Sequence, residues 1–118
     1  MNTRVAGAHY EDLALAHLQR AGLDLIERNA ACRHGEIDLI MRDGEVVVFI
    51  EVRYRSRSGF GDGLDSVSVT KQAKLVRAAR MFLARHPSLA RRTCRFDVVA
   101  LSDDVDSTEW CRNAFEAH

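Results

Sequence analysis

Tyr10, Leu13, Ala14, His17, Leu18 and Ala21 recur with the i, i+3, i+4, i+7 spacing of one helical face, which predicts a helix over residues 6–21. Gly22 supplies the stop. Leu23 to Asn29 reads as a short strand or connecting segment, and two stronger strands follow at Glu36–Arg42 and Glu45–Arg53. Between those two lies Asp43-Gly44, a strong short-range hairpin signal. The run Tyr54 to Asp65, rich in Gly and Ser, predicts a mobile loop. A second helix is expected over 70–85, with Thr70 as N-cap, Leu75, Val76, Ala79, Phe82 and Leu83 on its apolar face, and His86-Pro87 as its end. Cys94–Leu101 predicts another strand, and Ser107–Phe115, after an acidic turn, a last one. Helix, strand cluster, helix, strand, strand is the pattern of an α/β domain, a mixed central sheet with helices packed on it.

The hairpin pattern also assigns faces. With Asp43-Gly44 as the two turn residues, Ile37, Leu39, Met41, Val46, Val48, Ile50 and Val52 share one wholly apolar face. Glu36, Asp38, Ile40, Val47, Phe49, Glu51 and Arg53 share the other. In that register Asp38 and Glu51 are diagonal neighbours, roughly 7–8 Å apart at the backbone. The company of Ile40, Val47 and Phe49 implies at least half burial, where ionised carboxylates need a counter-charge or a metal. Mg²⁺ suits such a pair, because it binds through one or two carboxylates and leaves sites for water and phosphate oxygens. The plainer reading is an ordinary ion pairing of Asp38 and Glu51 with Arg53 and Arg33.

Composition limits the alternatives. The 118 residues, 47% of them hydrophobic and 29% charged, suit one domain spanning 1–118 with a core of its own. The longest strongly apolar run, Val46 to Ile50, falls far short of the ~20 residues of a membrane helix, and no apolar stretch of the signal-peptide kind stands at the amino terminus. A cytoplasmic protein with no membrane partner is the expectation. Cys32, Cys94 and Cys111 are odd in number and scattered, which argues against zinc or a disulfide framework and for buried, reduced thiols.

The 17 Lys and Arg balance the 17 Asp and Glu, yet the charges are segregated. Residues 1–52 hold five basic and nine acidic side chains, 53–95 eleven and two, and 96–118 one and six. The middle segment, with Arg55, Arg57 and Lys74 among its bases, is dense enough to neutralise phosphates if the fold gathers them on one face. A solvated basic surface paired with the acidic tail is the competing reading.

Several motifs together carry a resemblance: Gly35-Glu36-Ile37-Asp38-Leu39-Ile40, Val48-Phe49-Ile50-Glu51-Val52-Arg53-Tyr54-Arg55, Lys71, Arg95-Phe96-Asp97-Val98-Val99 and Asn113-Ala114-Phe115. In this combination, spanning Gly7 to Phe115, the chain resembles the YraN family of small bacterial proteins. That family looks like a branch of the restriction-endonuclease-like PD-(D/E)XK nuclease superfamily and is similar to archaeal Holliday-junction resolvases. The resemblance implies a restriction-endonuclease-like fold with Mg²⁺ or Mn²⁺ on Asp38 and Glu51, and Glu11 as an additional acidic residue. It departs from the motif at Ile37, where the naming proline is absent, and at Arg53, where the motif has lysine.

Arg53 is the departure that bears on chemistry. A lysine beside the attacking water can orient or deprotonate it, whereas arginine stays protonated and can only stabilise charge. Lys71 is the candidate replacement, since relocated lysines occur in this superfamily. The resemblance thus implies an endonuclease-like hydrolase acting on structured or branched DNA, with Asp38, Glu51, Arg53, Glu11 and Lys71 as catalytic candidates and Arg55, Arg57 and Lys74 as nucleic-acid contacts. Symmetric cutting of two strands would favour a homodimer. The alternatives are a non-catalytic nucleic-acid-binding module with a degenerate nuclease site, and a structural domain in which the acidic pair is only an ion pair.

Overall fold

The computed structural model describes residues 3–33, 35–55, 67–102 and 107–117. Its elements run α1 (Thr3–Arg20), β1 (Asp24–Cys32), β2 (Gly35–Asp43), β3 (Val46–Tyr54), α2 (Val69–Ala84), the short α3 (Pro87–Ala90), β4 (Cys94–Leu101) and β5 (Glu109–Phe115). The five strands form one sheet in sequential order. All neighbours are antiparallel except β3 and β4, which are parallel and are joined through α2 and α3. A parallel pair needs such a crossover, and here it lays α2 on one face of the sheet. This mixed α/β arrangement is compatible with a nuclease-like fold. Arg57 and the greater part of the glycine-rich loop lie outside the described residues, as does the acidic turn over 103–106.

Each helix covers a core. Against α2, with Leu75, Val76, Ala78, Ala79 and Phe82 inward, pack Ile40, Val47, Phe49, Phe96 and Val98. The Phe49 and Phe96 rings stack at 5.4 Å and Phe82 meets Phe49 edge-on at 6.2 Å. Against α1, with Ala14 and Leu18 fully buried, pack Leu39, Met41, Val48, Ile50, Val99 and Leu101. Burying each of these larger side chains contributes roughly 1.5–3 kcal/mol. No helix among the described residues is long and apolar enough to cross a membrane.

Three local expectations are corrected. The hairpin turn is Gly44-Glu45, because Asp43 pairs with Val46. Gly44 takes φ 60° and Glu45 does not take a positive φ, the arrangement of a type II′ turn, which wants glycine first. The N-cap of α2 is Ser68 and not Thr70: its Oγ accepts from Lys71 N at 3.1 Å, and its carbonyl accepts the first helical hydrogen bond from Gln72 N at 2.8 Å. The three cysteines are free thiols, each half-buried where full burial was expected.

At the far side of the sheet Asp97 is a buried acid with every role filled. Its carboxylate accepts from Arg95 Nε (3.0 and 3.2 Å), Trp110 Nε1 (2.9 Å) and the backbone N–H of Asn113 (2.9 Å). Asn113, at φ 51°, lies where the β4–β5 register slips, so Asp97 satisfies a donor that the irregular ladder leaves over. Arg95 also pairs with Asp43 at 2.9 Å, which ties the hairpin turn to β4.

Candidate metal centre

The alternation of β2 breaks at Asp38. Leu39 and Met41 face α1, as expected, but Ile37 belongs to the α2 core and not with them. The partner strand changes face at the same level: Arg28, opposite Leu39, pairs with Glu11 and Asp12 of α1, whereas Ala30, opposite Ile37, is buried under α2. Between them Asn29 sits at φ 51°, a left-handed conformation that asparagine tolerates better than most residues. Two adjacent strands therefore cross from one layer to the other at Asn29 and Asp38, and Asp38 meets charges from both helices.

The corrected turn changes the register but not the face assignment of the acidic pair. The β2–β3 ladder runs from Asp43↔Val46 to Leu39↔Ile50, and Asp38 and Glu51 follow its last pair, one on each strand. Asp38 Oδ2 accepts the backbone N–H of Val52 at 2.8 Å, bridging the strands just past the Leu39↔Ile50 pair. Glu51 is buried, and its Oε1 lies 2.7 Å from Lys71 Nζ on the first turn of α2. Glu11 comes from α1 with 15% of its side chain exposed. Its Oε1 is buried without a hydrogen bond, with the Arg28 guanidinium 3.5 Å away.

Glu11, Glu36 and Asp38 each bring an oxygen within 4.8 Å of the others. Burial, then the charges of Glu51 and Glu11, push the Asp38 carboxyl up to about 7, against the opposing effects of the Val52 hydrogen bond and Lys71. Such a site carries an excess of negative charge. All donors are carboxylate oxygens, one of them a buried atom with no hydrogen bond, and this donor set fits a hard divalent cation such as Mg²⁺ or Mn²⁺. Asp38 and Glu11, with Glu36 at the rim, would hold it, and Glu51 is close enough to raise the Asp38 pKa and offers its remaining oxygen.

A cleft of about 450 Å³ opens over the group, lined by Glu36, Asp38, Glu51, Ser68, Lys71 and Lys74 among others. Of the residues singled out in the sequence, Asp38, Glu51, Glu11, Lys71 and Lys74 are thus gathered about one place. Arg53 lies two residues past Glu51 on β3, half-buried and level with Ala100 of β4. Arg55 is directed elsewhere: its guanidinium pairs with Glu109 of β5 and donates to the Ser107 carbonyl. Glu36 is the residue that sequence reasoning passed over, although its Glu-x-Asp spacing with Asp38 was visible.

The segregated charges are partly spent within the fold. Arg92 pairs with Glu45, Arg95 with Asp43 and Asp97, and Arg55 with Glu109, so bases of the middle segment neutralise acids of the two flanking ones. Helix α2 carries Lys71, Lys74, Arg77 and Arg80 with no acidic residue; all four are exposed, and Lys71 pairs with Glu51.

The model of the uncharacterised protein family UPF0102 matches residues 10–101. A UPF0102 protein of Stutzerimonas stutzeri is 51% identical over 114 residues, 95% of each chain. One from Xanthomonas campestris pv. campestris is 52% identical over 109 residues, 92% of this chain and 89% of the relative. Another, from Pseudomonas savastanoi pv. phaseolicola, is 48% identical over 115 residues, 95% and 94% of the two chains.

Proposed function

The chain belongs to the UPF0102 family, and we propose that it is a metal-dependent endonuclease-like hydrolase acting on structured or branched DNA. The observation that carries this reading is the convergence of Glu11, Asp38 and Glu51 with Lys71 at one cleft. A bound Mg²⁺ or Mn²⁺ would supply Lewis acidity and a more acidic water for attack on phosphorus. Asp38 and Glu11 hold the cation, Asp38 being fixed by the Val52 N–H. Lys71 anchors Glu51 and, with 47% of its side chain exposed, presents an ammonium to the cleft. That ammonium occupies the role Arg53 cannot fill, orienting the nucleophile, while Arg53 supplies fixed positive charge to the phosphate. Lys74, on the next turn of α2 and also lining the cleft, neutralises a neighbouring phosphate. A homodimer would set two such sites on a two-stranded substrate.

The test is turnover of end-labelled junction, flap, single-stranded and duplex DNA with Mg²⁺ or Mn²⁺. The wild type should cut at least one of them, and Asp38→Asn none. If neither the wild type nor Arg53→Lys cuts any of these substrates, the non-catalytic binding module replaces the nuclease.

A further inference from the structure

The cleft over the acidic cluster has two unlike sides. β2 and β3 bring Glu36, Asp38 and Glu51 to it, and the first turns of α2 bring Lys71 and Lys74. Basic side chains recur every three residues along that helix, from Lys71 through Lys74 to Arg77, and α2 has no acidic residue to offset them. Three residues fall about 60° short of a full helical turn, so the row climbs obliquely round α2 with neighbouring Cβ atoms about 5–6 Å apart. Lys71 and Lys74 line the cleft, whereas Arg77 lines a second concavity of about 320 Å³, which it shares with Gln72, Ala73 and Glu116. The row therefore links the two concavities. Arg55, Arg92 and Arg95 of the same basic segment are held in ion pairs with Glu109, Glu45 and Asp43. Lys74 and Arg77 are exposed, and neither pairs with an acid among the described residues.

We propose that Lys74 and Arg77 form a track for the backbone of one nucleic-acid strand, leading the phosphates next to the one at the acidic cluster out of the cleft and across α2. The inference rests on the proposed nucleic-acid substrate and gives it a direction. Cationic side chains hold a chain of phosphates without regard to base, and each contact releases condensed counterions. A strand leaving over β2 would run past the exposed carboxylate of Glu36, which repels it. Over α2 it meets Lys74, the small exposed Ala73 and Arg77 in turn, until the carboxylate of Glu116 at the second concavity ends the favourable path.

The experiment measures binding, not cleavage, by anisotropy of a labelled oligothymidylate in Ca²⁺ at a series of KCl concentrations. In a plot of the logarithm of the association constant against that of salt, each phosphate contact to a single strand contributes about −0.7 to the slope. Lys74→Gln and Arg77→Gln should each shallow the slope by about 0.7, and the double variant by about 1.4. Glutamine is close to lysine and arginine in helix propensity, so α2 persists in all three, which circular dichroism checks. Arg20→Gln and Arg42→Gln, which remove the same charge from exposed positions on α1 and β2, should keep the wild-type slope. The track is overturned if the wild type does not bind, if Lys74→Gln or Arg77→Gln keeps the wild-type slope, or if Arg20→Gln and Arg42→Gln shallow it as much. The predicted slopes in a protein that cuts nothing would retain the track and remove the hydrolase. Cleavage by a protein whose slope ignores Lys74→Gln and Arg77→Gln would do the reverse.

Discussion

Replacing Asp38 by Asn should stabilise the metal-free protein, and by an amount that depends on pH in a defined way. In the unfolded chain Asp38 loses its proton near 3.8, whereas in the folded protein burial and the charges of Glu51 and Glu11 hold it until about 7. Between those values the folded state carries one proton more than the unfolded state, so stability falls as pH rises through that window and levels off above it. At ~1.4 kcal/mol per pKa unit the gap corresponds to a ceiling of about 4 kcal/mol, with about 2 kcal/mol after local relaxation. Asparagine keeps an oxygen to accept the Val52 N–H and carries no charge, so Asp38→Asn escapes this loss. For a chain of this length about 4 °C accompanies each kcal/mol, which gives a difference in Tm of roughly 8–16 °C at pH 8 and almost none at pH 4. Thermal unfolding in chelator across pH 4–8 measures it. Parallel curves for wild type and Asp38→Asn would refute the burial and crowding of this carboxyl. Addition of Mn²⁺ at pH 8 should raise the Tm of the wild type and leave that of Asp38→Asn unchanged.

Lys71→Met should lower turnover on any DNA the protein cuts by on the order of 10²–10³, as expected for loss of one positioned charge, while circular dichroism shows a folded chain. Arg53→Lys should retain or raise the cleavage rate and Arg53→Ala should lower it, because lysine can both stabilise charge and orient the nucleophile; a rate lost equally in both would remove Arg53 from the site. Asp97→Ala strands donors from Arg95, Trp110 and Asn113, and should reduce stability in urea unfolding by about 3–5 kcal/mol with no change in metal binding.

The helices and strands were legible because each lies half in a core: Leu75 to Leu83 on α2 and the alternation of Val46 to Val52 on β3 carry the period of their own element. The acidic pair was legible for the same reason, and the two-residue error in register spared it because a shift of two preserves the face. What escaped was set by contacts between distant segments. Asn29 switches β1 from one layer to the other, and that left-handed residue has meaning only opposite Asp38 of the next strand. Lys71 reaches Glu51 because a parallel crossover lays α2 over β3, which no sequence spacing encodes. Arg55 pairs with Glu109 because β5 returns beside β4, a contact that the spacing of Arg53, Arg55 and Arg57 does not encode. Ser68 and Thr70 are chemically equal as caps, and only the position of the first helical hydrogen bond separates them.

The carboxylates about Asp38 are proposed to hold a divalent cation. Calorimetric titration of Mn²⁺ into the metal-free protein at pH 8 tests it directly, run in parallel on wild type, Asp38→Asn and Glu11→Gln. One weak site in the wild type, abolished in Asp38→Asn and weakened in Glu11→Gln, is the predicted result. Identical binding in wild type and Asp38→Asn, or no heat in either, would contradict it.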